Sequence, residues 1–148
     1  MEKILILNGP NLNMLGFRDS VNYGDFTLKT LNQEIKKRYK KYFKLYFYQS
    51  NSESKIIDIL HKALVKFNYV VFNPGAFTHY SLAIRDAAEI IQNKLITVHL
   101  SDISKREDFR KTDLFKSLAL AQFQGKKMQS YFGALDYILK ISKANSNT

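Results

Sequence analysis

The chain has 148 residues and no cysteine: the size of one domain with a real core, and a composition that excludes disulfides, thiolate catalysis and cysteine-ligated zinc. Hydrophobic residues make up 45%, yet no apolar run reaches the roughly eighteen residues of a bilayer span, so no membrane partner is expected. The formal charge is +10, from 23 Lys and Arg against 13 Asp and Glu, which keeps nucleic acid and small anions open as partners.

Ile4 to Leu7 reads as a buried strand. The N-terminus, MEKILILNGPN, lacks the apolar region of a signal peptide, and a cytoplasmic location is expected. Asn8 to Gly24 then forms a loop far longer than the usual two to six or so residues between a strand and a helix; loops of this kind are lids or binding loops. Leu28, Leu31, Ile35, Tyr39 and Tyr42 recur at helical spacing, so a helix covers Thr27 to Lys41 with Thr27 as its N-cap. Six basic residues between Lys36 and Lys44 read as the solvated end of that helix. No recognition motif accompanies them, so no nucleic-acid partner is expected.

Leu45 to Tyr48 is a second, aromatic strand. Ser50 and Glu53 fit a capping box for a helix whose stripe is Ile56, Ile57, Leu60, Ala63, Leu64 and Phe67. Tyr69 to Phe72 is the third strand. Asn73-Pro74-Gly75 turns into a helix from His79 to Gln92, with Leu82, Ala83, Ala87, Ile90 and Ile91 inward. Leu95 to Leu100 is the fourth strand, Ser101 to Arg110 a loop or short helix, and Leu118 to Phe123 the fifth strand. Met128 to Leu139 marks the last helix, and residues 143–148 read as a frayed polar tail.

Alternating strands and helices imply one domain over residues 1–148, an α/β fold of flavodoxin-like type: a five-stranded parallel sheet with helices on both faces. Ligands of such sheets bind beyond the carboxyl ends of the strands. Asn8, Asn11, Gln49, Ser50, Asn73, His79, His99 and Ser101 all lie just past predicted strand ends. Polar residues distant in sequence therefore converge on one edge.

These residues allow more than one chemistry. Tyr23 beside Arg18 is an aromatic plug with a surface cation, or a general base. Free tyrosine titrates near pH ~10, and moving it to near 7 takes roughly 4 kcal/mol, which a neighbouring guanidinium helps to supply. His99 at a strand end is a structural imidazole or an acid near its working pKa. Arg106 and Arg110 form a salt-bridged surface turn or an anion clamp. His61, His79 and His99 make a poor metal trio, since His61 sits away from the edge and no carboxylate joins the other two. No Walker motif, GxGxxG, GxSxG or HExxH occurs.

Four segments in order, ILNGPNLNMLGFR with YG, FYQSNSE, NPGAFTHYSLAIRDA and VHLSDISKREDFR, resemble the type II 3-dehydroquinate dehydratases. They lie within residues 4–110, about three quarters of the chain. The resemblance implies the flavodoxin-like fold, a homododecamer built from trimers, and no metal, Schiff base or other cofactor. It implies anti elimination of water from 3-dehydroquinate to 3-dehydroshikimate through an enolate, in the shikimate pathway. By position, Tyr23 is the base, Arg18 holds it as phenolate, Asn11 stabilises the enolate, and His99 protonates the departing hydroxyl. Asn73, His79 and Arg110 hold substrate, with the amides of Leu100 and Ser101 on its carboxylate. Arg106 matches a lid-supporting arginine, and Asp86 a residue that reaches a neighbouring subunit's site.

The chain departs from the family pattern at several points. Thr97 stands where glutamate is usual two residues before the histidine, Ser54 replaces a glycine, and Asp102 an asparagine. Gly125-Lys126-Lys127 stands where a GFG turn is common. These departures motivate the alternative of a catalytically impaired homologue that binds a small anionic ligand.

Overall fold

The computed structural model describes residues 1–146. Five strands, β1 (Lys3–Asn8), β2 (Lys44–Gln49), β3 (Tyr69–Asn73), β4 (Leu95–His99) and β5 (Ala121–Gln124), form one sheet in the order β2-β1-β3-β4-β5. All four pairings are parallel. The helices are α1 (Ser20–Tyr23), α2 (Leu28–Tyr39), α3 (Glu53–Lys66), α4 (Leu82–Ile90) and α5 (Met128–Ser146).

Strand alternation divides the core in two. Ile4, Ile6, Val71, Ile96 and Val98 point to one face, where Leu31 and Ile35 of α2 meet Tyr131, Leu135 and Ile138 of α5. Leu5, Leu7, Val70, Phe72 and Leu95 point to the other, covered by Ile56, Leu60 and Ala63 of α3 and Ile84, Ala87 and Ala88 of α4. β1, β3 and β4 are therefore apolar on both faces, as buried parallel strands must be. Burying each such aliphatic side chain contributes about 1.5–3 kcal/mol.

Several boundaries differ from expectation for local reasons. Thr27 caps α2 as expected, its hydroxyl accepting from the Thr30 amide at 3.1 Å. At α3 the cap is Ser52, accepting from Lys55 N at 3.3 Å, while Ser50 accepts from Ser52 N at 3.0 Å and holds the turn before it. The helix after β3 does not begin at His79. Residues Gly75–His79 form a 3₁₀ turn, and Ser81 caps α4 by accepting from Ile84 N. That cap sets the phase of α4, so Ile84, Ala87, Ala88 and Ile91 are its inner stripe; Leu82, Ala83 and Ile90, expected inside, face outward. Phe115 and Leu118 enter the core from the connection before β5, which begins only at Ala121. α5 continues through the polar stretch to Ser146, with Ser142 Oγ donating to the Glu2 carboxylate at 2.6 Å. The rest of the expected tail, residues 147 and 148, lies outside the described residues.

Candidate active site

The carboxyl ends of β1, β3 and β4 open into one cleft. Two turns interlock at its floor. A Cβ on Gly9 would lie 2.5 Å from the Pro74 carbonyl oxygen, and one on Gly75 (φ 61°) 2.9 Å from that of Pro10. Only glycine permits this approach, which Gly9 N to Asn73 O at 2.8 Å ties together. Beneath it, the buried Tyr131 hydroxyl donates to Asn8 Oδ1 (2.5 Å) and accepts from Asn73 Nδ2 (2.9 Å). Burial pushes the Tyr131 phenol far above its ordinary range, so it stays protonated as the donor. Asn73 Oδ1 accepts from Gly75 N at 3.0 Å, so this side chain is fixed before any ligand arrives.

The segment from Asn8 to Gly24 is more ordered than a plain loop. Leu12 and Leu15 are buried and anchor its first half around a 3₁₀ turn. Asn11 sits at φ 69°, a left-handed conformation asparagine tolerates, and its amide donates to Asn51 Oδ1. Asp19 then caps α1 through Val21 N, and α1 ends on Tyr23.

Tyr23, Arg18 and Arg106 cluster in the lining of the cleft, with Tyr23 packed against the core beneath α2 and α5. Arg106 Nη1 donates to Tyr23 Oη at 2.5 Å and to Ser101 Oγ at 3.3 Å. The Arg18 guanidinium lies over the Tyr23 ring, 3.6 Å from its centre. The hydroxyl contact belongs to Arg106, and Arg18 holds the ring face. Burial lowers the pKa of Arg18; Tyr23 opposes that shift, and the positive charges of Arg110 and Arg106 add to it.

His99, Leu100, Ser101, His79 and Arg110 complete the lining. Lys127 N donates to the Leu100 carbonyl at 2.9 Å, so the unusual Gly125-Lys126-Lys127 turn braces the segment after β4. His79 Nδ1 lies 2.7 Å from the Thr112 carbonyl. A carbonyl only accepts, so Nδ1 carries the proton and Nε2 of the neutral ring accepts. Burial lowers the pKa of His79; the Thr112 contact resists, while Arg110 and His99 push the same way as burial. Arg110 Nε donates to Glu107 Oε2 at 2.6 Å, holding that side chain at the mouth.

Ten of the eleven residues expected at the site line this cleft: Asn11, Arg18, Tyr23, Asn73, His79, His99, Leu100, Ser101, Arg106 and Arg110. Asp86 does not. It lies on the outer face of α4, its side chain 76% exposed beside Arg85. Gln49 stays behind the cleft, bracing the Gly9 carbonyl at 3.2 Å. Sequence reasoning missed Tyr131, whose place in the apolar stripe of α5 makes it look like ordinary core. It also missed Asp113, which lies 3.8 Å behind His99 and carries no motif. Among the described residues no group of three or more His, Asp or Glu could hold a metal ion, and no helix is long and apolar enough to cross a membrane.

A phenol between two guanidiniums and an imidazole in one strongly cationic cleft, on a doubly wound sheet, is the equipment of an acid–base enzyme for a small anion. Residues 2–139 match the family Dehydroquinase class II, and the chain belongs to that family. A 3-dehydroquinate dehydratase from Clostridium botulinum strain Okra is 44% identical over 140 residues, 94% of this chain and 95% of that protein. One from Halothermothrix orenii is 39% identical over 147 residues, 99% of each chain. The crystal structure of type II dehydroquinase from Butyrivibrio crossotus superposes with a TM-score of 0.89 at 39% identity, covering 93% of this chain and 97% of that one.

Proposed function

We propose that this chain is a 3-dehydroquinate dehydratase that removes water from 3-dehydroquinate, with anti geometry, to give 3-dehydroshikimate. The observation that carries the reading is the placement of Tyr23, gripped by Arg106 and stacked under Arg18, in one cleft with His99. Nothing in the cleft or among the relatives favours an impaired homologue.

The chemistry asks for this division. A proton on the carbon next to a ketone is weakly acidic, so the charge on the enolate must be stabilised as it forms. Tyr23, as phenolate, takes that proton; Arg106 and Arg18 stand where they favour phenolate over phenol. Asn11, whose side chain makes no hydrogen bond among the described residues, stabilises the enolate oxygen. His99 gives its proton to the β-hydroxyl, which leaves as water while the enolate collapses to the conjugated enone. An anti elimination needs base and acid on opposite faces of the substrate, which two separate residues of one cleft, Tyr23 and His99, supply.

Asn73, neutral His79 and Arg110 hold the substrate's hydroxyls and carboxylate, and the amides of Leu100 and Ser101 complete the carboxylate pocket. Gly16 and Gly24, at φ 99° and 85°, bracket the segment that carries Arg18 and Tyr23 and act as its hinges, with Arg106 supporting the closed form. We carry over the family's trimer-based dodecamer, in which Asp86 reaches a neighbouring site. Val65, Tyr80, Leu82 and Ile90, all exposed on the α3 and α4 side, are apolar surface that such packing would cover. The shikimate pathway in the cytoplasm is the setting in which this reaction serves the cell.

Mixing the purified protein with 3-dehydroquinate should produce the absorbance of a conjugated enone. No gain between mild acid and mild base overturns the reading. No lysine lines the cleft, so borohydride added with substrate should leave activity intact.

A further inference from the structure

Among the described residues, two buried polar atoms face each other beneath the cleft with no hydrogen-bond partner, His99 Nε2 and Asp113 Oδ2. They are 3.8 Å apart, and the two side chains are only 6% and 8% exposed. That distance is about 1 Å too long for a hydrogen bond. An unpaired ionised carboxylate at such depth is costly, and so is an unpaired imidazole N–H. Each group supplies what the other lacks.

Asp113 is held in that position from behind. Its Oδ1 accepts from Phe115 N at 2.9 Å and Lys116 N at 3.1 Å, which leaves Oδ2 aimed at the ring. Gln122 stands beside this pair: its Oε1 accepts from Thr97 Oγ1 at 3.4 Å. Thr97 lies two residues before His99 on the same strand face, but its short side chain goes to Gln122 and leaves the imidazole to Asp113. Burial alone would raise the pKa of Asp113. The neighbouring His99, the Phe115 amide and the Gln122 side chain outweigh it, and the carboxyl stays below its ordinary range.

We propose that Asp113 is the positioning residue for His99: it keeps the proton on Nε2, so that Nδ1 is the nitrogen that exchanges a proton in the cleft. The imidazolium gives its Nδ1 proton to the leaving hydroxyl, and the neutral ring left behind still donates Nε2–H to Asp113. Asp113 touches no substrate. The inference rests on His99 being the acid, but its first readout does not need turnover.

The test is Asp113→Asn in the full-length protein. Asparagine keeps an acceptor for the Phe115 and Lys116 amides, so the turn should survive while the charge is lost. In the parent protein, ¹⁵N NMR of neutral His99 should show the proton on Nε2; in Asp113→Asn that tautomer should lose its dominance. With 3-dehydroquinate, kcat should fall about 10- to 100-fold with KM changed much less. Loss of a negative charge disfavours imidazolium, so the alkaline limb of kcat should move to lower pH. His79, Arg110, Tyr23, Arg18 and Arg106 share the cleft and are the same in both proteins, so the difference isolates Asp113. An Nδ1 proton in the parent, or an unchanged tautomer and pH profile in the variant, overturns the proposal. If Asp113→Asn does not fold, the parent tautomer decides alone, and Asp113→Glu, which keeps the charge, should retain it. A parent with the Nε2 proton but no turnover would sink the dehydratase reading and leave the positioning role standing.

Discussion

Tyr23 reaches the cleft from a four-residue helix capped by an exposed aspartate, and its ring is held by two arginines from separate loops. His99 reaches it from the last residue of β4, a strand buried along its whole length between β3 and β5. Tyr23 stands among short turns and cations, His99 at the end of the sheet. The comparison teaches how the two reacting groups are prepared: the base by charge brought to it, and the acid by a fixed backbone and a carboxylate behind it.

The largest way to break this comparison is to remove the base. Tyr23→Phe should lower kcat by roughly 10²- to 10⁴-fold, the usual worth of general-base catalysis. Substrate binding, measured by calorimetry, should persist. A variant that turns over near the parent rate would mean that Tyr23 is not the base.

Arg106→Met removes the cation bonded to the hydroxyl and leaves the turn backbone intact. Without that cation the phenolate form is disfavoured. The rise of rate with pH should therefore move to higher pH, with kcat at neutrality down about 10- to 100-fold. Arg18→Met should do the same to a smaller extent, because its contact is with the ring. The two pH profiles rank the arginines.

On the rigid side, Tyr131→Phe strips the hydroxyl shared by Asn8 and Asn73. Each is then left buried without its partner, so chemical denaturation should show a loss of about 1–3 kcal/mol. Activity should fall less than in the Tyr23 variant, since Tyr131 holds the floor and does no chemistry.

The smallest effect is the titration of His79. Its folded pKa lies below the ordinary histidine value, mainly through burial. The folded protein then binds fewer protons than the unfolded chain in that window. Stability from this group is present above the unfolded pKa of ~6.5 and is lost as pH falls through the folded pKa. An NMR midpoint for His79 at or above that of a free histidine would contradict it.

Most of the frame was legible because it rests on local rules. Apolar runs gave β1, β3 and β4 nearly to the residue, and the rule that ligands sit past parallel strand ends pointed to Asn73, His79, His99 and Ser101. What was not legible depends on contacts between distant segments. Helix spacing alone could not phase α4, because Leu82 and Ile90 fit a stripe as well as Ile84 and Ile91 until the Ser81 cap is known. The division of contacts between Arg18 and Arg106 could not be read either, since both lie in short turns whose side chains go wherever Tyr23 is. Thr97 signalled a change beside His99, but the carboxylate behind the ring comes from position 113, in a stretch with no pattern of its own.

A base at Tyr23 and an acid at His99 acting on opposite faces of the substrate fix the stereochemistry of the reaction, and one measurement reaches that claim directly. 3-Dehydroquinate carrying deuterium stereospecifically on the carbon between the ketone and the leaving hydroxyl should be converted by the parent protein and the product read by mass spectrometry. Deuterium anti to the hydroxyl should be lost and deuterium syn to it retained. Loss of the syn label would contradict a base at Tyr23 and an acid at His99 on opposite sides of the substrate.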